Sequence, residues 1–120
     1  MSNAPQASGA LHELIIHGIQ EKKGKDITLL DMRGIHDRVA DFFVVCQAES
    51  TTQVKAIADS IEEEVKKQLQ ERPLSVEGRE NAQWILLDYG DVVAHVFQPQ
   101  AREFYAIEDL WNDALREDIG

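Results

Sequence analysis

The sequence predicts one α/β (α+β) domain, built as a mixed β-sheet flanked by helices. Three observations carry the prediction. Leu11, Leu14, Ile15 and Ile19, and again Val54, Ile57, Ile61, Val65 and Leu69, recur at the spacing of one helix face. Phe42 to Cys46 is apolar without alternation, as in a central strand covered on both sides. Trp84 to Phe97 reads as two strands around a tight turn at Gly90. With 120 residues and 43% apolar content, the chain can fill one core and has no room for a second.

Taken in order, Met1 to Ala10 is small, polar and aperiodic, and is expected to be a mobile tail, so that the folded domain runs over residues 11–120. A first amphipathic helix follows, stopped by Gly24 after Lys22 and Lys23. Asp26 to Met32 and Asp41 to Ala48 read as strands joined by a polar connection. Ser50-Thr51-Thr52-Gln53 has the form of a capping box, in which the serine hydroxyl accepts from a free amide and the glutamine reaches back. The long helix it opens has Glu62 with Lys66, and Glu63 with Lys67, at the spacing of an exposed face, and ends by Arg72-Pro73. Leu74 to Glu77 fits a short strand. From Pro99 onward, Phe104, Ile107, Leu110, Trp111, Ala114 and Leu115 predict one broken helix or two short ones reaching the end of the chain.

Side-chain parity in the hairpin is the same whether its loop is Tyr89-Gly90 or Gly90-Asp91. Ile85, Leu87, Val92, Ala94 and Val96 therefore share one side, the expected core side. Trp84, Leu86, Asp88, Asp91, Val93, His95 and Phe97 share the other, which is expected to be partly exposed.

The charge balance points away from nucleic acid. Against 22 acidic residues stand 12 basic ones, a formal charge of -10, and the nearest thing to a basic patch is Lys22, Lys23 and Lys25 at a helix end. Such a field favours encounter with a basic protein, although it also serves solubility. Cys46 is the only cysteine and lies in an apolar run, which excludes an internal disulfide and a thiolate zinc site. No apolar stretch is long enough to span a bilayer, and a cytoplasmic protein is expected.

Enzymatic signatures are scarce: no Gly-rich phosphate loop, no nucleophile elbow and no spaced Cys and His pair is present. No catalytic residue and no cofactor is expected. Asp88, Asp91 and His95 are the one set that could share a metal, but aspartates flanking a turn and a strand histidine are common without an ion. His12 and His17, five apart, point to different sides of their helix.

Leu87-Asp88-Tyr89-Gly90-Asp91-Val92-Val93 followed by His95-Val96 resembles the signature of the ribosomal silencing factor (Iojap-like) family. Further blocks agree in order: Ala40-Asp41-Phe42-Phe43-Val44, Gln53-Val54 with Ala56-Ile57-Ala58-Asp59, Val76-Glu77-Gly78, Arg102-Glu103-Phe104-Tyr105 and Leu110-Trp111. One departure is Gln47-Ala48-Glu49, where the family shows a small residue and then Gly before the long helix.

The resemblance implies a nucleotidyltransferase-like fold without nucleotide transfer. It also implies binding to the large ribosomal subunit through its fourteenth protein, which blocks small-subunit joining and represses translation under nutrient limitation. A metal-dependent nucleotidyltransferase and a large-subunit assembly factor are the alternatives. The first lacks its motif, since no Gly-Ser precedes a helix here. The expected docking surface is the mixed hairpin face with nearby aromatics: Trp84, Leu86, Asp88, Tyr89, Asp91, His95 and Tyr105. Exposed aromatics would serve a homodimer equally well.

Overall fold

The computed structural model describes residues 7–120, with side chains from Leu11 onward. Helix α1 (Ala7–Glu21) leads into β1 (Lys25–Asp31) and β2 (Phe42–Gln47), then α2 (Thr51–Leu69), β3 (Ser75–Glu77), β4 (Trp84–Asp88) and β5 (Val92–Phe97). Two short helices, α3 (Pro99–Tyr105) and α4 (Ile107–Leu110), and a last strand β6 (Leu115–Asp118) complete the chain. One sheet holds all six strands in the order β3-β4-β5-β2-β1-β6. Every neighbouring pair is antiparallel except β2 and β5, which run parallel because α2, β3 and β4 carry the chain between them. Helix α1 begins four residues before Leu11, so the expected tail overlaps it; residues 1–6 lie outside the described residues. Among the described residues no helix is long and apolar enough to cross a membrane.

The unalternated run Phe42 to Cys46 is central, as its composition predicts. Its odd and even residues feed two separate cores. Phe42, Val44 and Cys46 join Ile27, Leu29, Ile85, Leu87, Ala94 and Val96 beneath α1 and α2. Phe43 and Val45 join Leu30, Met32, Val93, Phe97 and Ile107 on the opposite face. Cys46 is wholly buried, and the loss of hydration pushes its thiol up to about 12, consistent with a packing role.

The helical layer closes tightly because of Gly18. A Cβ there would lie 3.0 Å from Ile61 Cα, a crowded distance, so the bare backbone at this crossing lets α1 approach α2 without displacing it. Ser60 uses that proximity, donating its hydroxyl to Gly18 O at 2.8 Å. Val54, Ile57, Ile61 and Val65 are then fully buried, each contributing about 1.5–3 kcal/mol. Helix α2 starts as predicted, with Ser50 Oγ accepting from Gln53 N at 3.1 Å. The second half of the box does not form, because Gln53 Nε2 donates to Lys22 O at 3.2 Å and ties the helix to the end of α1. The helix closes on Gln70 in the left-handed conformation, two residues ahead of Arg72-Pro73. Glu62 pairs with Arg79 from the β3–β4 connection, as does Asp59 at 2.8 Å.

Two expectations need correction. The mixed hairpin face is partly exposed along β4, where Trp84, Leu86 and Asp88 are half-buried, but not along β5: α3, α4 and the connection around Met32 and Ala40 pack over it, leaving His95 3% exposed and Phe97 fully buried. The C-terminal segment is also not helical throughout. Ala106 is left-handed (φ 47) and breaks the helix, and Leu115–Asp118 pair with β1. An unpaired β1 would present its row of amides and carbonyls to solvent, and strand pairing satisfies them where a continued helix would not. Of the apolar residues read as one helix face, Ile107 is buried, whereas Phe104, Leu110 and Leu115 are exposed.

Arg102 fastens this second layer. Its guanidinium pairs with Glu108 at 2.7 Å and also donates to Asp26 O (2.7 Å), Thr28 Oγ1 (3.2 Å) and Gln47 Oε1 (3.2 Å). One side chain thus links α3 to α4, β1 and β2. The Gln47-Ala48-Glu49 departure fits the same region: none of the three has a positive φ, so no glycine is needed, and Gln98 Nε2 closes the turn on Glu49 O at 3.0 Å.

Candidate partner-binding site

The hairpin loop is Gly90-Asp91. Tyr89 N donates to Val92 O at 2.9 Å, and Asp88 faces Val93 as the last paired residues. Gly90 has φ +91 while Asp91 stays in the ordinary region, the pattern of a two-residue turn that matches strand twist. Asp88 Oδ1 accepts from Gly90 N at 2.8 Å and stiffens the turn. Asp91 lies exposed at the tip; its carbonyl accepts from Asp41 N and Phe42 N, which locks the turn to the start of β2.

Register puts Trp84 opposite Phe97, Leu86 opposite His95 and Asp88 opposite Val93, all on the α3 side. Trp84 is half-buried at the centre of an aromatic group. Its ring stacks on Phe97 at 4.9 Å and 26°, and lies 4.8 Å from Tyr105, which is half exposed at the end of α3. Phe104, 79% exposed, meets Tyr105 edge to face at 5.0 Å and extends the aromatic surface outward. Beside it, a shallow depression of about 390 Å³ is lined by Val39, Phe43, Leu74, Leu86, Asp88, Gly90, Val93 and His95, with Val39 and Leu74 exposed at its rim.

His95 is beneath this surface. Burial drives its imidazole down to about 3, so the ring is neutral. Nδ1 accepts from Trp84 Nε1 at 3.1 Å, which leaves the proton on Nε2, and Nε2 is buried without a hydrogen-bond partner among the described residues. The ring packs 4.5 Å from Phe43.

Of the seven sequence-derived residues, the structure brings Trp84, Leu86, Asp88 and Tyr105 to one surface, with Asp91 at its edge. Tyr89 does not join them. It is 8% exposed and packs in the core under α2, its hydroxyl lacking a partner among the described residues and its pKa raised by desolvation. Parity carried that signal, since 85, 87 and 89 alternate onto one side of the strand. Val39, Leu74 and Phe104 were missed as surface residues. Val39 ends a polar connection and Leu74 follows Arg72-Pro73, so the available sign for both was a large apolar residue next to polar chain. For a shared metal, Asp91 is at the turn tip while one His95 nitrogen is held by Trp84, and among the described residues no group of three His, Cys, Asp or Glu could hold an ion.

Comparison with known proteins agrees with this architecture. The family model described as ribosomal silencing factor during starvation matches residues 5–120. A ribosomal silencing factor of Halalkalibacterium halodurans is 42% identical over 107 residues, 87% of each chain, and one of Bacillus subtilis is 44% identical over 102 residues, 82% of each. A crystal structure of a Chromobacterium violaceum protein superposes with a TM-score of 0.81 at 36% identity, covering 87% of this chain and 85% of the other. With a matching fold, nearly the whole length aligned and identities near 40%, the chain belongs to the ribosomal silencing factor family.

Proposed function

We propose that this protein binds the large ribosomal subunit through its fourteenth protein and blocks joining of the small subunit, repressing translation under nutrient limitation. The observation that carries the reading is the half-exposed aromatic surface centred on Trp84, with Tyr105, Leu86 and Asp88 around it, on a chain of formal charge -10. Ribosomal proteins are basic, and an acidic field accelerates their encounter. Aromatic side chains in a rigid cluster then supply contact area with little ordering entropy to lose. The action is regulatory: the surface offers shape and charge, and the buried His95 supports it from below.

Sedimentation of the chain with purified subunits tests this. The protein is expected to travel with free large subunits and to be absent from assembled ribosomes. Equal binding to both would remove the blocking mechanism even if affinity were high. Moderate salt should weaken the contact without abolishing it, because screening acts on steering more than on buried aromatic packing.

A further inference from the structure

The docking role of Trp84 leaves open what holds its indole in place, and the buried pair beneath it answers that. Trp84 is held on three sides: the face of Phe97, the ring of Tyr105, and a hydrogen bond from Nε1 to His95 Nδ1 at 3.1 Å. Stacking allows a ring to slide and turn in its plane. The hydrogen bond removes that freedom, because it fixes the direction of one edge.

Position 95 otherwise belongs to a hydrocarbon layer. Its neighbours on the same face are Leu86, Val93, Phe97 and Phe43. A leucine would fill such a place without leaving any polar atom unpaired. Histidine leaves Nε2–H buried with no acceptor among the described residues, at a cost in desolvation. What it offers in return is one acceptor, Nδ1, turned to the indole. We infer that His95 is a positioning residue, whose Nδ1 lone pair holds the Trp84 indole in the orientation that the docking surface presents to its partner. This rests on the docking role proposed for Trp84. A pre-oriented side chain binds more tightly because less freedom is lost on contact.

Two substitutions separate acceptor from filler. In His95→Asn the amide oxygen can occupy the place of Nδ1, whereas His95→Leu fills the layer without an acceptor. Each is compared with wild type and Trp84→Ala in two measurements: binding to purified large ribosomal subunits, and the nitrogen–proton resonance of the indole, assigned with Trp111→Phe. His95→Asn should keep the protected indole proton and bind within about threefold of wild type, and His95→Leu should expose that proton to exchange and bind about tenfold more weakly. An indole resonance unmoved in His95→Leu overturns the inference. So does wild-type binding by His95→Leu when Trp84→Ala has lost it. If Trp84→Ala binds like wild type, the docking reading fails separately, and the resonance alone decides whether His95 positions the indole. Should His95→Leu not fold, wild type and His95→Asn decide. A protected indole proton in both supports the inference, and one exchanging as fast as free indole in wild type overturns it.

Discussion

Trp84 and Phe97 are cross-strand partners whose rings stack 4.9 Å apart, one fully buried and the other half exposed. The pair joins the core of the second layer to the outer surface, so Trp84 belongs partly to each. Trp84→Ala should weaken binding to large subunits at least about tenfold, as expected for a tryptophan near an interface centre. It should also destabilise the domain, by less than the roughly 3–5 kcal/mol of a fully buried tryptophan. A melting curve and a binding titration on the same variant check both. Full stability loss together with unchanged binding would place Trp84 in the core alone.

Tyr89 makes the opposite case. Its hydroxyl is buried without a partner among the described residues, so Tyr89→Phe removes a buried polar group and leaves the ring packing intact. Stability should be unchanged or raised by about 1 kcal/mol, and binding to large subunits should be unchanged. Urea denaturation and titration measure these. A clear loss of binding would mean that the turn rearranges to expose the ring.

Arg102 and Glu108 are 11% and 12% exposed and joined at 2.7 Å. Arg102→Met removes the cation and leaves Glu108, Thr28 and Gln47 without their donor. The expected loss is about 3 kcal/mol, at the lower end for a buried pair that loses one member. Adding Glu108→Gln should restore part of it, because it removes a mostly buried carboxylate that would keep only the longer 3.9 Å contact to Arg116. The midpoint of urea unfolding for the single and double variants provides the measurement.

His95 predicts a pH dependence whose sign follows from its burial. The folded value lies near 3 and the unfolded value near 6.5, so between them the unfolded chain binds the extra proton. Stability from this group is complete above pH 6.5 and is lost as pH falls from there towards 3, at most about 1.4 kcal/mol per pH unit. His12, His17 and His36 are common to wild type and a position-95 variant. The contribution of His95 is therefore read as the difference between wild type and His95→Asn, measured by unfolding at pH 7, 6 and 5. Parallel curves for the two proteins would mean that acid opens the site before the ring is charged.

Everything the sequence determined by itself depends on local spacing. Period 3.6 marked α1 and α2, an unalternated run marked the central strand, and parity sorted Ile85, Leu87, Val92, Ala94 and Val96 onto the helix-covered side. Parity extended to Tyr89 as well, although its place in a turn motif drew attention to the surface instead. The blocks from Ala40 to Trp111 led to the family because such motifs are themselves local. Tertiary structure decided three matters: that Leu115–Asp118 form a strand, that α3 and α4 bury His95 and Phe97, and that Arg102 holds those helices against β1 and β2. Each depends on what lies far along the chain. A segment of ambiguous period takes its conformation from the free edge it can pair with, and an alternating strand has two sides whose burial is set by what folds over them.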